Sequence, residues 1–172
     1  MKCSRIAAYK RFIIVWVKGF NGVIMKIAIA NDHVAVDLKK HIKEYIEKKG
    51  YETVDFGTNS TERTDYPIYG KKAADAVANG ECDLGIIICG TGIGISIAAN
   101  KVKGIRAACC SEPFSARLTR EHNNANVLCF GARVIGEGTA MDLVDAFVDT
   151  PFSFEERHEN RIAKITALEN NG

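Results

Sequence analysis

The chain has 172 residues, 47% of them apolar and 26% charged, which is one domain's worth of ordinary globular composition and excludes a disordered, collagenous or membrane-embedded protein. Its 23 basic and 21 acidic residues give a net charge of +2, unevenly distributed. Residues 1–24 hold five basic and no acidic side chains, so residues 25–172 carry net −3 and lack the basic field needed to bind nucleic acid or an anionic membrane.

Within the first 24 residues an apolar run of six (12–17) ends at Lys18, far short of the ~20 needed to span a bilayer, and no A-x-A cleavage site follows. Met25 then reads as a start that runs directly into a strand. We expect residues 1–24 to be an upstream extension, such as a misassigned start codon produces, and residues 25–172 to be the working domain. An organelle-targeting segment is the alternative. The six cysteines (Cys3, Cys82, Cys89, Cys109, Cys110 and Cys129) show neither C-x-x-C nor zinc-finger spacing. Reduced thiols in a cytoplasmic protein are expected, with Cys82, Cys109, Cys110 and Cys129 as small buried hydrophobes.

From Met25 short apolar runs alternate with amphipathic stretches. A strand at 26–30 precedes a helix at 35–49, where Leu38, Ile42, Tyr45 and Ile46 share a face and Gly50 supplies the stop. A strand at 52–55 and an Ala-rich helix at 67–78 follow. The Ile-rich strand at 84–89 has the continuous apolar pattern of a central strand covered on both sides. Next come a helix at 94–101, a strand at 106–110, a helix at 113–121, a strand at 127–130 and a helix at 137–148. After the break at Pro151 a last helix runs over 155–168. Five successive βα units predict an α/β fold: a three-layer αβα sandwich around a five-stranded parallel, Rossmann-like (flavodoxin-like) sheet, with an extra C-terminal helix.

Such a sheet gathers its strand-to-helix loops at one edge, where ligands bind. Those loops carry Asp32 and His33; Thr64, Asp65 and Tyr66; Cys89, Gly90, Thr91, Gly92, Ile93 and Gly94; Ser111 and Glu112; and Gly131 with Arg133. The glycine-rich loop can turn backbone N–H groups toward an anion at a helix N-terminus. It lacks the third glycine of a dinucleotide fingerprint and the Gly-Lys-Ser/Thr of a Walker loop, and a tight turn that only packs helix on sheet is the competing reading. Cys89 at its mouth suits a thiolate that acts as base or nucleophile. Asp32 and His33 have no third ligand nearby, so anion donation by His33 and hydroxyl steering by Asp32 are preferred to a metal site. His122 and Asn123 fall at the far edge of the sheet, where they serve either a partner's crevice or only the dipole of their own helix. Arg157 and Arg161, spaced i,i+4, either clamp a phosphate or pair with neighbouring glutamates on a solvated helix.

Six stretches carry a resemblance to a known family: Asn31-Asp32-His33; Glu62 to Pro67 (ERTDYP); Cys89 to Lys101 (CGTGIGISIAANK); Gly104 to Ala107 (GIRA); Cys110 to Pro113 (CSEP); and Glu121-His122-Asn123. In this order they closely resemble the ribose-5-phosphate isomerase B family, within a wider group that includes galactose-6-phosphate and allose-6-phosphate isomerases. The resemblance implies interconversion of ribose 5-phosphate and ribulose 5-phosphate through a cis-enediolate, with no metal or organic cofactor. It implies Cys89 as the base and Thr91 with the backbone of Gly90, Gly92, Ile93 and Gly94 around the enediolate oxygens. By the same resemblance His122 opens the furanose ring with help from Asp32, His33, Arg157 and Arg161 hold the phosphate, Asn123 and Arg133 complete the contacts, and Tyr66 lines the pocket. One branch of the family uses a glutamate where this chain has Ile95, which leaves Cys89 as the candidate base. The resemblance further implies a homodimer, or a dimer of dimers, with sites shared between subunits. A noncatalytic phosphate- or nucleotide-binding module is the rival reading, and it would need neither Cys89 nor His122.

Overall fold

The computed structural model describes residues 24–169; the extension expected at 1–24 falls outside the described residues except for Ile24. Five strands alternate with helices: β1 (Lys26–Asn31), α1 (Val36–Lys48), β2 (Glu52–Asp55), α2 (Tyr66–Ala78), β3 (Leu84–Cys89), α3 (Ile93–Ala99), β4 (Ala107–Cys109), α4 (Pro113–Asn123), β5 (Val127–Gly131), α5 (Glu137–Val148) and α6 (Glu156–Leu168). All pairings are parallel, in the order β2-β1-β3-β5-β4. This is the predicted sandwich.

The alternation of side chains along each strand divides the core in two. Ile27, Ile29, Ile86, Ile88, Leu128 and Phe130 point to one side, against Ile42 and Ile46 of α1, Ala116 of α4, and Leu143 and Phe147 of α5. Ala28, Ala30, Ile87, Cys89, Val127 and Cys129 point to the other, against Ala73, Ala74 and Val77 of α2 and Ile95 and Ala99 of α3. Every residue of β3 is buried because both faces are covered. Each fully buried Ile or Phe contributes about 1.5–3 kcal/mol of transfer free energy. α6 lies outside these layers and packs on α4.

Local chemistry sets the helix ends. Gly50, at φ +89°, ends α1 in the left-handed conformation that favours glycine. Glu112 caps α4 by accepting the Ser115 N–H at 3.0 Å, and Pro113 starts that helix. α3 begins at Ile93 and stops at Ala99, two residues short of the predicted end. Asn100 leaves the helix to bond the edge strand: its Nδ2 donates to the Ala107 carbonyl and its Oδ1 accepts the Ala107 N–H, both at 2.8 Å. β4 is correspondingly short.

Candidate active site

β1 leads to one side of the sheet and β3 to the other, so their carboxyl ends frame the crevice where strand order reverses. Asp32 is tied to it by its N–H on the Ile88 carbonyl at 3.2 Å. Because β5 lies beside β3, Ala132 N–H reaches the Cys89 carbonyl at 2.9 Å and Arg133 N–H the Gly90 carbonyl at 3.1 Å. Asp32, Cys89 and Arg133 therefore share one edge.

Cys89 is 4% exposed, and its Sγ accepts the Gly92 N–H at 3.1 Å. The loop that makes this bond lies directly on β5. Gly92 has φ +79°, and a Cβ there would sit 2.7 Å from the Phe130 carbonyl carbon and 2.9 Å from Cys109 Sγ. One on Gly131 would sit 2.6 Å from Thr91. Thr91 Oγ1 accepts the Ile93 N–H at 3.3 Å, which draws the hydroxyl over the start of α3.

Around this loop, Arg133 lays its Cδ and Nη1 within 3.9 Å of the place a Gly90 Cβ would take, and the Tyr66 ring abuts Gly94. Asp32 is buried, with Oδ1 accepting the Val34 N–H at 2.9 Å. His33 Nδ1 accepts the Thr64 N–H at 3.3 Å, so its ring proton resides on Nε2, free to donate. Asp32, His33, Tyr66, Cys89, Gly90, Thr91, Gly92, Ile93, Gly94 and Arg133 are thus brought to the predicted edge. Glu112 serves as a helix cap instead.

The remaining predicted residues lie elsewhere. His122 and Asn123 occupy the last turn of α4 at the amino edge of the sheet, where Arg106 Nε donates to the Asn123 carbonyl at 3.0 Å. The length of β3, about 16 Å at ~3.3 Å per residue, separates that edge from Cys89. His122 stacks on His158, with ring centroids 4.3 Å apart and 6° between planes. His158 is buried with no partner on Nε2. Its pKa lies below the ordinary histidine range, first because burial disfavours the cation and then because His122 and Arg157 repel it. Arg157 Nε donates to Glu155 at 2.7 Å, as the solvated-helix reading expects, while Arg161 is exposed on the same face.

Sequence reasoning missed His158. Its signal is a polar residue in helical register with Ile162 and Ile165, on the side of α6 that turns toward α4. Cys109 is a correction: predicted buried, it is exposed, because it lies on the edge strand and its Sγ points at the Thr91 carbonyl 3.8 Å away. Cys82, Cys110 and Cys129 are buried as predicted. Burial raises the first two thiols to about 11 and Cys129 as well. The five described cysteines are free. Among the described residues no group of three or more His, Cys, Asp or Glu is placed to hold a metal ion, and no helix is long and apolar enough to cross a membrane.

A parallel α/β domain with a thiol, a guanidinium and a glycine loop at its carboxyl edge is the class of protein these features define. Residues 27–165 match the ribose/galactose isomerase family. The chain is 54% identical over 144 residues to ribose-5-phosphate isomerase B of Escherichia coli (strain K12), spanning 84% of this chain and 96% of that protein. It is 45% identical over 144 residues to the galactose-6-phosphate isomerase subunit LacB of Clostridium acetobutylicum, spanning 84% and 83%. The structure of ribose-5-phosphate isomerase B from Clostridium thermocellum superposes with a TM-score of 0.84 at 52% identity, covering 86% of this chain and 99% of that one. The chain belongs to the ribose/galactose isomerase family and is an isomerase.

Proposed function

We propose that this isomerase interconverts D-ribose 5-phosphate and D-ribulose 5-phosphate, a reaction of the pentose phosphate pathway, through a cis-enediolate. The observation that carries the reading is the Gly92 N–H on Cys89 Sγ at the end of β3, which presents the thiol inside a loop of backbone donors. Cys89 takes the proton from C2 of the open-chain aldose and returns it to C1, while the hydroxyl proton on O2 passes to O1. The charge that develops on O1 and O2 is met by Thr91 and by the backbone of Gly90, Gly92, Ile93 and Gly94. Asp32 orients the ring oxygen and hydroxyls, Tyr66 lines the sugar pocket, His33 holds the phosphate, and Arg133 completes the sugar and phosphate contacts. No metal or organic cofactor takes part.

His122 opens the furanose, Asn123 contacts the sugar, and Arg157 and Arg161 hold the phosphate. Because these four lie at the opposite edge of their own sheet, a second copy of the chain must bring them to Cys89. The minimum working unit is a homodimer, and two such dimers can associate into a tetramer. Exposed Ile68, Ile93, Ile97 and Phe114 supply apolar surface for that association. The free thiols support a cytoplasmic location.

Similarity to a galactose-6-phosphate isomerase subunit favours a second reading, in which a six-carbon sugar phosphate (galactose 6-phosphate or allose 6-phosphate) is the substrate. Initial rates with ribose 5-phosphate, allose 6-phosphate and galactose 6-phosphate on one preparation decide between them. We expect the highest kcat/KM with ribose 5-phosphate; a higher value for either hexose phosphate replaces the first reading with the second.

A further inference from the structure

We propose that Lys39 is a positioning residue that sets the tautomer of His33, and through it the grip on the phosphate; the inference rests on the isomerase reading. Lys39 lies in α1, six residues after His33, and is only 2% exposed. A lysine ammonium has three donors, and here each has an acceptor. They are Asp55 Oδ2 at 2.8 Å, on the last residue of β2, and the Thr58 carbonyl at 3.0 Å and Asn59 Oδ1 at 2.9 Å, on the segment between β2 and α2. A buried cation so satisfied fixes that segment against α1.

The same segment runs on to His33. Tyr69 hydroxyl shares a hydrogen bond with Thr64 Oγ1 at 3.2 Å, and successive side-chain turns tie the 58–64 stretch together: Ser60 N–H donates to Thr58 Oγ1 at 3.0 Å and Glu62 N–H to Ser60 Oγ at 3.1 Å. Thr64 N–H in turn donates to His33 Nδ1. The connections close a ring from His33 through α1, Lys39, Thr58, Ser60, Glu62 and Thr64 back to His33. With Nδ1 held as an acceptor, the ring proton stays on Nε2, where it can donate to an anionic oxygen. Without Lys39 the segment loses its anchor on α1, Thr64 N–H no longer stays on Nδ1, and both tautomers become populated. An anchor with a merely structural role would lower stability and leave the imidazole unchanged.

The test uses the full chain with nitrogen-15 labelled histidine, comparing wild type with Lys39→Met by long-range proton–nitrogen correlation at neutral pH. Wild type should show His33 with Nδ1 unprotonated and Nε2 protonated, and the variant a mixture of both forms. KM for ribose 5-phosphate and the dissociation constant of inorganic phosphate should rise about twofold, the loss expected when half of the molecules hold the wrong tautomer, with a smaller change in kcat. If Lys39→Met does not fold, Asn59→Ala, at an exposed position, removes one anchor and should shift the same observables less far. An unchanged tautomer in the folded variant, or a changed tautomer with unchanged phosphate affinity, overturns the proposal. Should wild type isomerise no sugar phosphate, the isomerase reading fails, and the tautomer comparison alone decides whether Lys39 sets His33.

Discussion

His122 lies parallel to His158, ring centroids 4.3 Å apart, and the buried member of the pair has no partner on Nε2. Burial, and then repulsion from His122 and Arg157, hold the pKa of His158 below the ~6.5 of an unfolded histidine. Between that depressed value and ~6.5 the unfolded chain binds more protons, so stability is present above pH ~6.5 and is lost as pH falls toward the folded pKa. Melting temperatures at pH 7.5 and 5.5 should therefore differ more for wild type than for His158→Phe, which keeps an aromatic stack without the titration. Equal pH dependence in the two proteins would contradict this account.

Cys89 is the acid–base group of the proposed reaction, and the position at which one branch of the resembled family carries a glutamate is here the buried hydrocarbon Ile95. Cys89→Ala should lower kcat by ~100-fold or more, the lower range for losing a general base, while circular dichroism and melting temperature change little. A folded variant with a rate near that of wild type would remove Cys89 from the mechanism.

Gly92→Ala should fail for two separate reasons. Its φ of +79° strains any L side chain, and the new methyl would lie 2.7 Å from backbone atoms of Phe130 that cannot move away. The strain costs about 1–3 kcal/mol, and relieving the clash lifts the loop off β5, taking the Gly92 N–H away from Cys89. Denaturant unfolding should show the destabilisation, and kcat should fall with it. Gly90→Ala is the control, because a Cβ there meets only the Arg133 side chain, at 3.8 Å.

Which parts of this were readable in the sequence follows from what each depends on. The bounds 52–55, 84–89 and 137–148 match the structure because short apolar runs between turn signals mark them locally. The end of α3 does not, because Asn100 is drawn off by a backbone seven residues away. Nor does the pattern of βα units reveal that β5 lies between β3 and β4. That order places Arg133 beside Gly90 and leaves Cys109 on an exposed edge. The place of the glycine loop at the carboxyl end of β3 was legible from its glycine spacing, whereas the burial of His158 depends on the packing of α6 on α4, which local pattern does not carry.

Arg157 distinguishes a phosphate clamp from an ordinary solvated helix. Its Nε donates to Glu155 at 2.7 Å, and the hydrogen bond holds the Glu155 carboxyl below its usual pKa range, so the pair stays ionised at neutral pH. Both side chains are more than half exposed, so water competes for the pair and a phosphate with two charged oxygens can displace the carboxylate. Arg157→Ala should then weaken inhibition by inorganic phosphate by about tenfold, the loss expected for a charge-assisted bond, with kcat less affected. Glu155→Gln should do the reverse and tighten phosphate binding by roughly twofold to fivefold, as the competing exposed ion pair is removed. Inhibition constants unchanged in both variants would leave Arg157 and Glu155 as a surface pair with no part in binding.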